Sequence, residues 1–89
     1  MKSNRLFVMQ LNELINEANT KLPIDDIKNI LEFIENNEFG IAFETFCTQL
    51  YEYDIKISSE FYEKIVFLGQ SINIEPSLWL PLKELINIE

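Results

Sequence analysis

Apolar side chains in this chain recur at spacings of three and four almost from end to end, whereas strict alternation occurs only over Tyr53-Asp54-Ile55-Lys56-Ile57. A period near 3.6 buries one stripe of a helix, and a lone alternating segment has no second strand to complete its hydrogen bonds. The pattern therefore predicts an all-α fold, with that segment as an extended connection. The 89 residues are enough for one hydrophobic core and too few for two. A single domain, residues 1–89, built as a compact bundle of about five short helices, is the expectation. Seven Phe, three Tyr and one Trp supply large apolar areas, so the core can be dense at this size.

The first helix is predicted over about Asn4–Asn19, with Phe7, Leu11, Leu14 and Ala18 in one stripe. Pro23 has no N–H to lose in a first turn, and Asp25 and Asp26 place negative charge near the positive end of a helix dipole. A second helix begins there, with Ile27, Ile30, Leu31 and Ile34 facing inward. Asn36-Asn37 suit the left-handed closure of a helix, and Gly40 adds a second reason for a tight junction. The third helix, about Glu38–Tyr53, carries Phe39, Ala42, Phe43, Phe46, Leu50 and Tyr53 on one face and turns Ile41, Glu44, Thr45, Thr48 and Glu52 away. Ser58 or Ser59 caps a fourth helix through Phe61, Ile65, Leu68 and Ile72, in which Gly69 permits a close contact. Pro76 opens a short fifth helix to about Ile86, with Leu78, Trp79, Leu82 and Leu85 as its apolar set and Pro81 shortening or kinking it. Trp79 is either a core anchor or an exposed contact, and its apolar neighbours at helical spacing favour the core.

Fifteen acidic residues against seven basic ones give a formal net charge of −8. That balance disfavours a nucleic-acid backbone as partner, which requires Lys and Arg, and favours a basic protein. Between Lys28 and Lys56 lie Glu32, Glu35, Glu38, Glu44, Glu52 and Asp54 and no base, six acids giving −6 in that interval. Such a run also arises as plain solvated helix surface. Ile41 and Tyr51 lie beside Glu44 and Glu52 on the helical wheel. They either supply apolar and aromatic contacts inside an acidic patch or are covered by the bundle. Cys47 is the one cysteine, so no internal disulfide forms and a reducing cytoplasm fits. One step from the core stripe, it reads as a small buried hydrophobe. The apolar run after Arg5 is broken by Gln10, Asn12 and Glu13 too early for a signal-peptide core. No stretch of about twenty apolar residues offers a membrane span either. A cytoplasmic protein is expected.

His is absent, which removes the most usual general base, the partner of a nucleophilic Ser or Cys, and the commonest metal ligand. Asp25-Asp26 and Glu35-x-x-Glu38 lack the oxygen-rich loop and central Gly of a calcium hand. Paired carboxylates that hydrolyse glycosides need a cleft, for which five short helices leave little room. The expectation is a protein-binding module that needs no cofactor or metal and is not an enzyme.

The segment Asn37-Glu38-Phe39-Gly40-Ile41-Ala42-Phe43-Glu44-Thr45-Phe46-Cys47-Thr48-Gln49-Leu50-Tyr51-Glu52 resembles the GE-x-G-x-A-x-E-x-L segment of MafI-type immunity proteins. The likeness continues through Asp54-Ile55-Lys56-Ile57-Ser58, the helix containing Tyr62, and Trp79, and so covers about Pro23 to Ile86, while the first helix matches only in character. Asn37 stands where the pattern has Gly and Phe46 where it has Leu, and neither change disturbs the helical spacing. The resemblance implies a bacterial cytoplasmic antidote that binds the C-terminal domain of a cognate secreted toxin of the MafB or contact-dependent inhibition type. Many such toxin domains resemble nucleases, including EndoU-type ribonucleases, and a nuclease presents a basic cleft that an acidic protein can occlude. On this reading the toxin-contacting residues are Glu38, Ile41, Glu44, Thr48, Tyr51, Glu52 and Asp54, with Glu38 and Glu44 also suited to supporting the helix junction and the bundle. Two other classes stay open at this level, as does self-association. One is a generic helical interaction or regulatory subunit, with an exposed apolar patch and little salt sensitivity. The other is an acidic mimic of nucleic acid, with charges spaced like phosphates along one face.

Overall fold

Four α-helices and a C-terminal pair of 3-10 segments follow one another in the computed structural model, which describes residues 2–87, with side chains from Asn4 onward. They are α1 (Lys2–Ala18), α2 (Ile24–Glu35), α3 (Phe39–Glu52) and α4 (Ser59–Ser71), then Pro76–Leu78 and Leu80–Leu85. The architecture is the all-α bundle that the apolar spacing predicts, and no helix among the described residues is long and apolar enough to cross a membrane.

The core is organised around α3, which buries Ala42, Phe43, Phe46, Cys47 and Leu50 against α1, α2 and the C-terminal segments. Phe7 of α1 meets Phe39 edge-on at a centroid distance of 6.0 Å and Phe43 at 6.3 Å, while Phe46 meets Phe61 of α4 at 6.3 Å. These tilted aromatic contacts lock three helices at two points along α3. No polar or charged residue is buried among those described, so apolar shape alone specifies the packing.

Helices α2, α3 and α4 end in the same way. Asn37, Asp54 and Asn73 adopt left-handed φ angles of 62°, 53° and 60°. The next N–H in each case reaches back to the last full turn: Glu38 to the Phe33 carbonyl at 2.8 Å, Ile55 to Leu50 at 3.0 Å, and Ile74 to Gly69 at 2.9 Å. A second bond, spanning a shorter loop, closes each motif, from the N–H of Asn37 to Ile34, of Asp54 to Tyr51 and of Asn73 to Gln70. Carbonyls that a helix end would leave without partners are thereby satisfied. Gly40, expected to help form the α2–α3 junction, instead lies in the first turn of α3 with no atom near the position a Cβ would take. Asn37 makes that turn alone. At the start of α4, Ser58 Oγ accepts from the Phe61 N–H at 3.0 Å. Ser58→Ala is expected to cost about 1 kcal/mol, read as a lower urea midpoint with an unchanged slope.

Four expectations need correction. Tyr53, assigned to the inward face, is 47% exposed, because it is the cap residue from which Asp54 swings the chain away. The Asp26 carboxylate near its hydroxyl pushes the phenol above its ordinary range. Asp26 accepts from Gln49 Nε2 at 3.0 Å. Leu31 is exposed and Ile27 and Ile34 are half-buried, since α2 packs chiefly on α3 and its other flank stays open. The alternating segment does find a partner: Ile57 and Ile86 form an isolated parallel bridge, with Ile57 N–H on the Leu85 carbonyl at 3.0 Å and Asn87 N–H on the Ile57 carbonyl at 2.9 Å. That bridge holds Ile55 and Ile57 in the core. Finally, the fifth helix is two 3-10 segments meeting at Trp79, because Pro81 lacks an N–H and its ring opposes the carbonyl one α-turn back.

Trp79 is core, as its neighbours imply. Its indole lies directly against Gly69, where a Cβ would collide with ring atoms Cζ3 and Cε3 and stand 3.1 Å from Cη2. The close contact that Gly69 permits is therefore with a side chain rather than with a second helix.

Candidate protein-binding face

Since α3 buries one side, its opposite side is left as a regular free surface. Ile41, Glu44, Thr48 and Glu52 follow one another there at helical spacing, and all are exposed. Ile41 is 47% and Tyr51 45% exposed, so the bundle does not cover them. Glu38 stands before the first turn with an exposed side chain that makes no capping bond. Asp54 stands just beyond the last turn, 3.7 Å from Lys56 Nζ. Both partners of that pair are solvated, so it contributes little. The structure thus brings Ile41, Glu44, Thr48, Tyr51 and Glu52 onto one face, with Glu38 and Asp54 at its two ends.

The face carries unneutralised charge. Among the described residues the ion pairs are Lys56–Asp54 and Lys64–Glu17, and neither involves Glu38, Glu44 or Glu52. By helical rise Glu44 and Glu52 sit about 12 Å apart, beyond the ~8 Å screening length of physiological salt. Their mutual repulsion therefore costs the helix little while both project negative potential outward.

Three contributors to this face escape sequence reasoning. The C-terminal 3-10 segments pack beside α3, and the Tyr51 hydroxyl donates to Glu84 Oε1 at 3.4 Å. Between them runs a groove of about 200 Å³ lined by Cys47, Thr48, Tyr51, Glu52, Leu78, Pro81 and Leu82. Glu84, Leu78 and Pro81 join the face only through a long-range contact, for which no local spacing gives a signal. Larger hollows lie elsewhere, about 400 Å³ between α1 and α4 and about 620 Å³ between α1 and α2. The first includes Lys64 among its carboxylates and the second is a shallow surface with amide side chains, so neither concentrates one sign of charge.

Beneath the groove, Cys47 is buried, and burial first, then the charge of Glu44, pushes its thiol well above the ordinary range. A thiol whose folded-state pKa is raised adds stability that is fully present below the unfolded value, near 9, and is lost as pH rises beyond it. The stability difference between the native chain and Cys47→Ala should accordingly fall by about 1.4 kcal/mol per pH unit above that point. Urea titrations at stepped pH measure it. No three His, Cys, Asp or Glu side chains among the described residues converge as metal ligands. Comparison with family models, with characterised proteins and with solved structures finds no match to this chain.

Proposed function

We propose that this chain is an immunity protein of the MafI type, which binds the C-terminal domain of a cognate secreted bacterial toxin and neutralises it by laying the outward face of α3 over a basic active-site cleft. The toxin domain is a nuclease in this reading, with an EndoU-type ribonuclease as one form it takes. The observation that carries the proposal is the exposed row Ile41, Glu44, Thr48 and Glu52, whose carboxylates have no cationic partner among the described residues. The side chains of Glu38 and Glu44 make no hydrogen bond or ion pair there either, so the fold does not require them. Unneeded charge on a rigid helix is available for a partner, and opposite charge on that partner raises the rate of encounter. Asn37 gives further support, because its left-handed φ is the conformation that the Gly of the resembling pattern adopts most readily. Ala42 and Phe46, the pattern's apolar positions, are core.

The test is co-expression with the toxin domain encoded beside this gene, followed by growth and by pull-down at low and high salt. Rescue, with a complex whose formation slows as salt rises, is the expected result. No rescue and no complex would remove the reading. A second reading, an interaction or regulatory subunit, draws on the exposed Met9, Ile24 and Leu31 of α1 and α2, and it predicts a partner held equally well at both salt concentrations.

A further inference from the structure

The groove beside α3 has two chemically distinct parts. Its lining is apolar at Leu78, Pro81 and Leu82 and polar at Thr48, Tyr51 and Glu52, with Glu84 at the tip of Tyr51. At about 200 Å³ it is smaller than the roughly 300–1,000 Å³ of small-molecule sites, and it suits one long side chain. A group that satisfies both parts needs an apolar stem and a cationic head. Guanidinium answers this better than ammonium, because it is planar and more weakly hydrated, stacks on an aromatic ring, and offers paired donors to carboxylates.

We propose that this groove is the receptor for a single arginine side chain projecting from the partner protein. Its methylenes lie on Leu78, Pro81 and Leu82, and its guanidinium stacks against Tyr51 between the carboxylates of Glu52 and Glu84. The Tyr51–Glu84 bond of 3.4 Å is long for an O–H···O contact, so Glu84 turns from it to the arriving cation at little cost. Glu52 has no ion-pair partner among the described residues and is free to accept. The proposal rests on the immunity reading for the identity of the partner, while the chemistry of the groove is a property of this chain alone. It makes the C-terminal segment part of the recognition surface and gives the acidic face one geometrically specific anchor, of the kind that dominates interface energetics.

The experiment is a nuclear magnetic resonance titration of the ¹⁵N-labelled full chain at low salt with the blocked peptide acetyl-Gly-Arg-Gly-amide, and with the same peptide carrying lysine or the neutral isostere citrulline. Saturable shifts confined to Thr48, Tyr51, Glu52, Leu78, Leu82 and Glu84 are expected, with a dissociation constant of about 1–10 mM. Citrulline should bind at least about tenfold more weakly. Tyr51→Ala and Glu84→Gln should each weaken the arginine peptide several-fold, whereas Glu32→Gln on α2 should leave it unchanged. Absence of a localised saturable shift, equal binding of the lysine peptide, or shifts at Glu32 and Glu35 as large as those in the groove would overturn the proposal. A positive titration with no rescue from the toxin removes the immunity reading alone. Rescue with a flat titration removes the arginine receptor alone.

Discussion

Trp79→Ala should remove roughly 3–5 kcal/mol of stability, the usual loss when a buried large aromatic is truncated. For a chain of this length the whole margin is on the order of 5–13 kcal/mol, so the variant should lose at least about a quarter of it and unfold at a markedly lower urea concentration. Gly69→Ala is its counterpart. A methyl group at that position occupies the place of the indole and forces Trp79 out of the core, at a cost of about 1–3 kcal/mol or more. Against this stands the roughly 1 kcal/mol that Ala gains over Gly inside a helix. The two effects separate in a double-mutant cycle: with Trp79 already truncated, the clash is gone and only the helix gain remains. Gly69→Ala should therefore destabilise the native chain and be neutral or stabilising in the Trp79→Ala background, by urea denaturation at fixed pH. Equal destabilisation in both backgrounds would mean that the indole does not rest on Gly69.

The second large effect concerns binding. Reversing Glu44 and Glu52 together to Lys should weaken the toxin complex by about 10²–10³-fold, the range seen when close interfacial charges are disrupted. Stability should change by less than about 0.5 kcal/mol, because neither carboxylate has an ion-pair partner to lose among the described residues. Much of the loss should fall on the association rate, and the salt dependence should flatten or invert. The control is Glu32→Lys with Glu35→Lys on α2, which changes net charge by the same amount away from the face. If that control weakens binding as much, overall charge and not the α3 surface is responsible, and the proposed contact is wrong.

The helical periods, and with them α1 to α4, were legible in the sequence because each helix buries a stripe whose spacing is local. The outward row of α3 was legible for the same reason: Ile41, Glu44, Thr48 and Glu52 are simply the complement of Phe43, Phe46 and Leu50. What could not be read required knowing where the chain turns. Tyr53 falls on the inward side of an ideal wheel, but the wheel ends one residue earlier, and a left-handed Asp54 redirects everything beyond it. Leu31 has core spacing without a neighbour to cover it. The bridge from Ile57 to Ile86 and the bond from Tyr51 to Glu84 join residues far apart in sequence, and no pattern in either segment announces the other. The groove lies between α3 and the C-terminal segments packed on it, residues equally distant in sequence, so it was invisible for the same physical reason.

The shared ending of α2, α3 and α4 bears on how the molecule can be engineered. Three left-handed positions are held by Asn37, Asp54 and Asn73, while neither glycine of the chain occupies such a conformation. Glycine enters that region without the steric strain that a Cβ brings, and helix-cap improvements commonly add about 0.5–2 kcal/mol each. The three sites close different helices through hydrogen bonds that share no residue, so their gains should nearly add. Asn37→Gly with Asn73→Gly would produce a sturdier scaffold without touching a core residue or the outward row of α3. Groove and face variants that cost some folding energy could then be compared as binding proteins rather than lost as unfolded ones.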